Sequence, residues 1–246
     1  MGHALDMQSS PHLEKMPDAK TEVGTILTCG LVLNPDGWRE ATLSDISTQS
    51  FDDAYRSLGL THAAFWIQRD PDVAIAMWEG ADIDTFFERF SASSHPVVAK
   101  WRGLLREFSG PKEAENYWEA SHHRLLSWST GEQGAESEVT LYRGPSQVEA
   151  YCRLAEDFEA TPSLRGLMDR VRGRQGFTRI ETWHQQTNGN DIVLTLVEAH
   201  DLKSAMGQLM AEDNKLDKRL MKVMRSSLLQ GQSPPPAAKL LARWHA

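Results

Sequence analysis

The chain has 246 residues, 40% hydrophobic and 24% charged, with a net charge of −8 and a pI near 5.6. That is enough apolar material for one large core or two smaller ones, and the acidic balance argues against duplex nucleic acid or an anionic membrane as partner, since both need a basic face. No segment approaches the roughly 18 apolar residues of a membrane span, and two cysteines, Cys29 and Cys152, fit a reducing, cytoplasmic setting better than a disulfide framework.

Residues 1–22 lack the apolar stretch of a signal peptide and read as a flexible tail. "TILTCGLVL" (Thr25 to Leu33) is rich in β-formers and is bounded by the turn "NPDG". A helical stretch follows at Ser50 to Leu60. "GLTHAAFWIQ" (Gly59 to Gln68) alternates as a strand and leads through "RDPD" into a second strand, "DVAIAMWE" (Asp72 to Glu79). Asp82 is placed to cap the next helix, which breaks at "SSHP" (Ser93 to Pro96) before continuing to Leu105. "RLLSW" (Arg124 to Trp128) is too short to assign by period.

The same text then recurs. "SEVTLYRG" (Ser137 to Gly144) stands for the first strand, and two helical stretches follow it. "GFTRIETWHQ" (Gly176 to Gln185) then repeats the glycine, threonine, tryptophan and glutamine of Gly59, Thr61, Trp66 and Gln68. "NG" at Asn188-Gly189 is a hairpin signal, "DIVLTLVE" (Asp191 to Glu198) is the second strand, and Asp201 is a second cap. A helix over Ala205 to Met224 breaks at "EDN", a proline linker lies within Gln230 to Lys239, and "KLLARW" (Lys239 to Trp244) closes the chain. Strand, helix, strand, strand, helix is the start of a ferredoxin-like unit. The expectation is an α+β protein of two tandem ferredoxin-like repeats, 23–130 and 131–246, whose antiparallel sheets pack face to face into one barrel-like body.

"LGLTHAAFWIQ" and "AIAMWEGADIDTFFERFSASSHPVVAKW" resemble the dimeric α/β-barrel superfamily, and within it uncharacterised bacterial members with an "EG/EA-D" turn after the second strand. The resemblance covers the first repeat best and reaches the second through the repeat. It implies the fold; its relatives include monooxygenases, cyclases, stress-induced barrels and haem proteins, so it implies no single reaction.

Alternation places His62, Ala64, Trp66 and Gln68 on the face turned to the other sheet, with Arg179, Glu181, Trp183 and Gln185 at the matching places. Ala74, Ala76 and Trp78 are expected to face the same way, as are Val193, Thr195 and Val197. A pocket over the first sheet would then have Trp66 and Trp78 as walls, Gln68 and His62 as polar groups, and Arg179, Glu181 and Trp183 opposite. His62 is the candidate for moving a proton. The alternative stands beside each: the tryptophans as core filler, Arg179–Glu181 as an ion pair, His62 as an interfacial histidine, and Glu79 and Glu198 as aids to the turns that follow them. Glu119 and His123, four apart on a possible helix, lack a third metal ligand, and His184 has no haem-binding text around it. No cofactor is expected, and the partner is a small molecule, with the chain a monomer or homodimer. With the resemblance, three classes are implied: a cofactor-free monooxygenase- or cyclase-type enzyme on an aromatic or polyketide-like substrate, as some members of the superfamily are, a non-catalytic binding or stress-response module, and a haem or metal protein.

Overall fold

Local signals set most boundaries in the computed structural model, which describes residues 23–69, 72–109, 121–143, 145–187, 190–211, 214–228 and 236–246. After β1 (Gly24–Leu31), the Asn34 side chain accepts the Gly37 amide hydrogen at 3.0 Å and starts α1 (Pro35–Asp45). Thr48 does the same for α2 (Gln49–Ser57). The hairpin β2 (Leu60–Gln68) and β3 (Val73–Gly80) leads to α3 (Phe86–Ala92), and the predicted break separates it from α4 (Pro96–Ser109). β4 (Ser121–Ser129) follows. The second half runs β5 (Glu136–Arg143), α5 (Pro145–Ala160), α6 (Pro162–Gln175), β6 (Phe177–Thr187), β7 (Asn190–Ala199), α7 (Leu202–Met210), α8 (Lys215–Leu228) and β8 (Ala238–His245). Asn188-Gly189 lies outside the described residues, between the paired Thr187 and Asn190.

Asp201 caps α7 through the Ser204 amide at 2.8 Å, as predicted. Asp82 does not cap by its side chain. Its backbone turns left-handed, at φ 53°, and makes the turn itself, with the Thr85 amide donating to its carbonyl.

The eight strands form one antiparallel, nearly closed, barrel-like sheet in the order β1-β3-β2-β8-β5-β7-β6-β4. "RLLSW" and "KLLARW" supply the fourth strand of each half, and each is lent to the other half. β4 pairs with β6, and β8 pairs with β2 (His62 with His245, Ala63 with Trp244). β8 also reaches β5 at Glu138 and Val139, which closes one side of the barrel. No ladder joins β1 to β4 among the described residues, so the other side is an open seam.

Inside the sheet, Leu27, Ala64, Trp66, Ile75 and Met77 meet Val139, Leu141, Trp183, Leu194 and Leu196 in one core. Outside it, helices cover both halves, but with different fillings. The first half uses rings: Phe65, Trp78, Tyr55, Trp101 and Phe86 touch one another, Phe65 and Trp78 edge to face at 5.2 Å. The second half uses mostly aliphatic residues and two smaller clusters.

Candidate functional site

The predicted inner set of β2 and β6 does face the barrel interior. Trp66 is 0% exposed and donates its indole N–H to Ser137 Oγ at 3.3 Å across the barrel. Around the start of β2 and β6 lies a buried charge network. Glu79 Oε2 is 2.8 Å from His62 Nδ1, and Glu79 Oε1 is 2.5 Å from Arg179 Nη2. Arg179 also holds Glu181 at 2.7 Å, and Glu181 accepts the Trp183 indole N–H at 2.9 Å. Thr25 donates to Glu79 and accepts from Arg179. Burial opposes ionisation of Glu79, but the His62 hydrogen bond and the Arg179 charge outweigh it and hold its pKa down at about 2. Glu198, beside Arg243 at 3.1 Å, is instead pushed upward by burial. Glu79 and Glu198 therefore belong to the interior rather than to the turns assigned to them from sequence.

Gln185 has a structural task. Its side chain accepts from Cys29 N at 2.8 Å and donates to Cys29 O at 2.9 Å, taking the place of a neighbouring strand on the open edge of β1. Gln68 is buried, with no partner for its Oε1.

Trp78 is a correction. In the β2–β3 hairpin it is Glu79 that opposes His62, while Trp78 opposes Ala63. Opposed residues share a face, and here even numbers on β2 oppose odd numbers on β3, so the tryptophan lies outside, among Tyr55, Phe65 and Phe86. Ala74 and Ala76 also lie outside, and Val193, Thr195 and Val197 follow the same rule in the β6–β7 hairpin. The pocket predicted over the first sheet thus loses one wall, and the fully buried Trp66 fills its place. A second correction concerns His123, which stands on strand β4 rather than a helix; Glu119 lies outside the described residues. Among the described residues no three His, Cys, Asp or Glu side chains converge as a metal-binding group.

A cavity of about 80 Å³ does exist, on the other side of the sheet and in the other half. It lies between the outer face of β4–β7 and helices α5 to α8. Comparing the two hairpin registers explains it. Phe65 opposes Ala76 and adjoins Trp78; the corresponding residues of the second half are Thr182, Thr195 and Val197. Ile26, opposite Trp78, corresponds to Glu138, opposite Val197. Where the first half packs a ring pair, the second leaves a hole and turns a carboxylate toward it.

The polar groups at this cavity are few. The Thr182 and Thr195 hydroxyls are 3.4 Å apart. Arg172, 2% exposed, is held by Asp217 and Gln175 at 2.5 Å each, and its Nε has no partner. Burial pushes the Glu138 carboxyl above its ordinary pKa, and does the same to the Tyr142 and Tyr151 hydroxyls. An apolar chamber with a half-buried carboxyl of raised pKa is an environment for general acid–base chemistry. Glu138 and Met206 also line an open groove bounded by Ser137, Lys203 and Lys239, so these two side chains stand between the chamber and that groove. The sequence held one signal for this site: when the two hairpin texts are aligned, Thr182 and Val197 stand where Phe65 and Trp78 do.

Fold and site together define a barrel-like α+β protein with a chamber between sheet and helices. No protein-family profile matches the sequence. No curated protein matches it significantly. Three solved structures follow a similar chain course. One, from Fusobacterium nucleatum subsp. nucleatum, shares 8% identity at a TM-score of 0.48, over 91% of this chain and 94% of that one. One from Lactobacillus acidophilus shares 6% at 0.44, over 90% and 96%. Both are named "putative monooxygenase". The third, an anthrone oxidase-like protein, shares 10% at 0.44, over 93% and 94%. At these identities the likeness speaks for the chain course alone.

Proposed function

We propose that this chain is a small-molecule-binding α/β-barrel protein that takes a single-ring phenol or enol into the chamber of its second half, where Glu138 exchanges a proton with it and no resident cofactor takes part. The observation that carries this reading is the exchange of Ile26, Phe65 and Trp78 in one half for Glu138, Thr182 and Val197 in the other. A core under selection for stability alone fills such a hole, because empty volume costs about 24 cal/mol per Å³. The size bounds the ligand: an engineered apolar cavity of about 150 Å³ takes benzene, so a chamber of about 80 Å³ takes at most one ring, and only as the flexible Met206 side chain at its rim gives way, and it excludes a fused polyketide. The same reading takes residues 23–130 and 131–246 as two copies of one unit, supported by their shared order of elements and of strands. The test is a calorimetric screen of single-ring phenols and cyclic 1,3-diketones against the parent and Thr182→Phe. Binding by the parent alone supports the site; equal binding by both overturns it.

A second reading keeps His62 as the proton carrier. It is favoured by the buried Nε2 of His62, which has no hydrogen-bond partner while Nδ1 is held by Glu79. Loss of turnover in His62→Gln with retained ligand binding in the chamber would move the chemistry there.

A further inference from the structure

The open seam between β1 and β4 forms a separate cleft of about 480 Å³, within the size range of ordinary ligand sites. One wall is the start of β1 and the turn after β3, with Thr25, Asp82 and Asp84; the other is β4, with His122 and Arg124; Trp183 lies between them. The charges are divided. Asp82 and Asp84 stand on one side and Arg124 on the other, its guanidinium carbon 6.0 Å from the Trp183 ring centroid. Burial, then the neighbouring His123, hold His122 down at about pKa 4, so it is neutral at pH 7. Among the described residues, the side chains of Asp82, Asp84 and Arg124 have no hydrogen-bond or ion-pair partner, whereas the interior charges one layer below are all paired.

Two features hold the acidic wall in place. Asp82 is the single non-glycine residue with positive φ among those described, a kind of outlier that gathers at ligand clamps. Gly24 lets the turn lie against β1: a Cβ there would meet Ile83 Cγ2 at 2.3 Å. The Trp183 indole N–H is already taken by Glu181, so the cleft is offered only the ring.

We propose that this cleft binds a small zwitterion of the aromatic α-amino-acid type, its ammonium at Asp82 and Asp84, its carboxylate at Arg124 and its ring against Trp183. A ligand with one charge meets one wall and leaves the other without a partner; a zwitterion meets both. Arg suits the carboxylate, since its planar fork matches two oxygens.

The test is titration calorimetry of the full chain with L-phenylalanine and its two halves, 2-phenylethylamine and 3-phenylpropionate. L-Phenylalanine is expected to bind about tenfold or more tightly than either half. Arg124→Gln should weaken L-phenylalanine about tenfold and leave 2-phenylethylamine unchanged; Asp82→Asn should weaken it similarly and leave 3-phenylpropionate unchanged. Asn tolerates the left-handed backbone, and both residues are exposed, so far-UV dichroism and the melting temperature should match the parent. No heat with L-phenylalanine at millimolar concentration, equal affinity for the three probes, or an unchanged L-phenylalanine affinity in either variant overturns the proposal.

Discussion

Thr182→Phe puts into the second half the ring that Phe65 provides in the first. The hole beneath it is about 80 Å³, and at about 24 cal/mol per Å³ filling it returns about 2 kcal/mol. The substitution also removes the 3.4 Å contact between the Thr182 and Thr195 hydroxyls. Leaving the Thr195 hydroxyl without that partner beside an apolar ring costs about 1 kcal/mol. The net expectation is a stabilisation of about 1 kcal/mol, seen as a melting temperature about 2–4 °C above the parent for a chain of this length. Differential scanning calorimetry with and without saturating p-cresol reads both effects. The ligand should raise the melting temperature of the parent and leave that of the variant unmoved. A variant that melts below the parent, and is still shifted by the ligand, would show that the chamber is neither empty nor the binding place.

The other expectations concern charge and edge protection. The carboxyl of Glu79 is held at about pKa 2, below its ordinary value of 4.5, so its stabilisation is complete above about pH 4.5 and is lost as pH falls through 2; by linkage it is of order 3 kcal/mol at neutral pH. Glu79→Gln should remove it and flatten the acid limb of a urea-unfolding series, and an acid limb as steep as the parent's would contradict the buried network. Glu138 has the opposite sign: burial raises its pKa, so its favourable contribution is complete below the ordinary carboxyl range and is lost as pH rises through the raised value. Glu138→Gln should therefore lose less stability than the parent between mildly acidic and neutral pH, while phenol affinity persists. Gln185→Leu removes two main-chain hydrogen bonds from β1, at 2.8 and 2.9 Å, and should lower stability by about 2–3 kcal/mol, read as a lower urea midpoint at unchanged slope.

Much of this molecule is legible in short-range pattern. The alternation in "GLTHAAFWIQ" and "GFTRIETWHQ" correctly separates Phe65 from Trp66 and Thr182 from Trp183, because neighbouring side chains on a strand must point oppositely. The helix breaks before Pro96 and near Asn214 follow from capping and proline chemistry. What pattern does not carry is how one strand registers against the next. A shift of one residue turns a strand over, and that one residue moved Trp78 from a supposed ligand wall into the packed first half. The exchange of Phe65 and Trp78 for Thr182 and Val197 stood in the sequence, but it marks a cavity only once Thr182, Thr195, Val197 and Glu138 are known to share a face.

Local chemistry in the chain therefore determined which segments are strands and helices, where they stop, and which residues alternate, since these depend on backbone dihedrals and on side chains a few positions apart. Tertiary structure alone decided that β4 and β8 trade places between the halves, that Gln185 stands in for a missing strand, and that one helix-covered face is filled with rings while its counterpart is hollow. Those outcomes rest on pairings between residues far apart in the chain, whose energies depend on volume and register in three dimensions rather than on sequence neighbours.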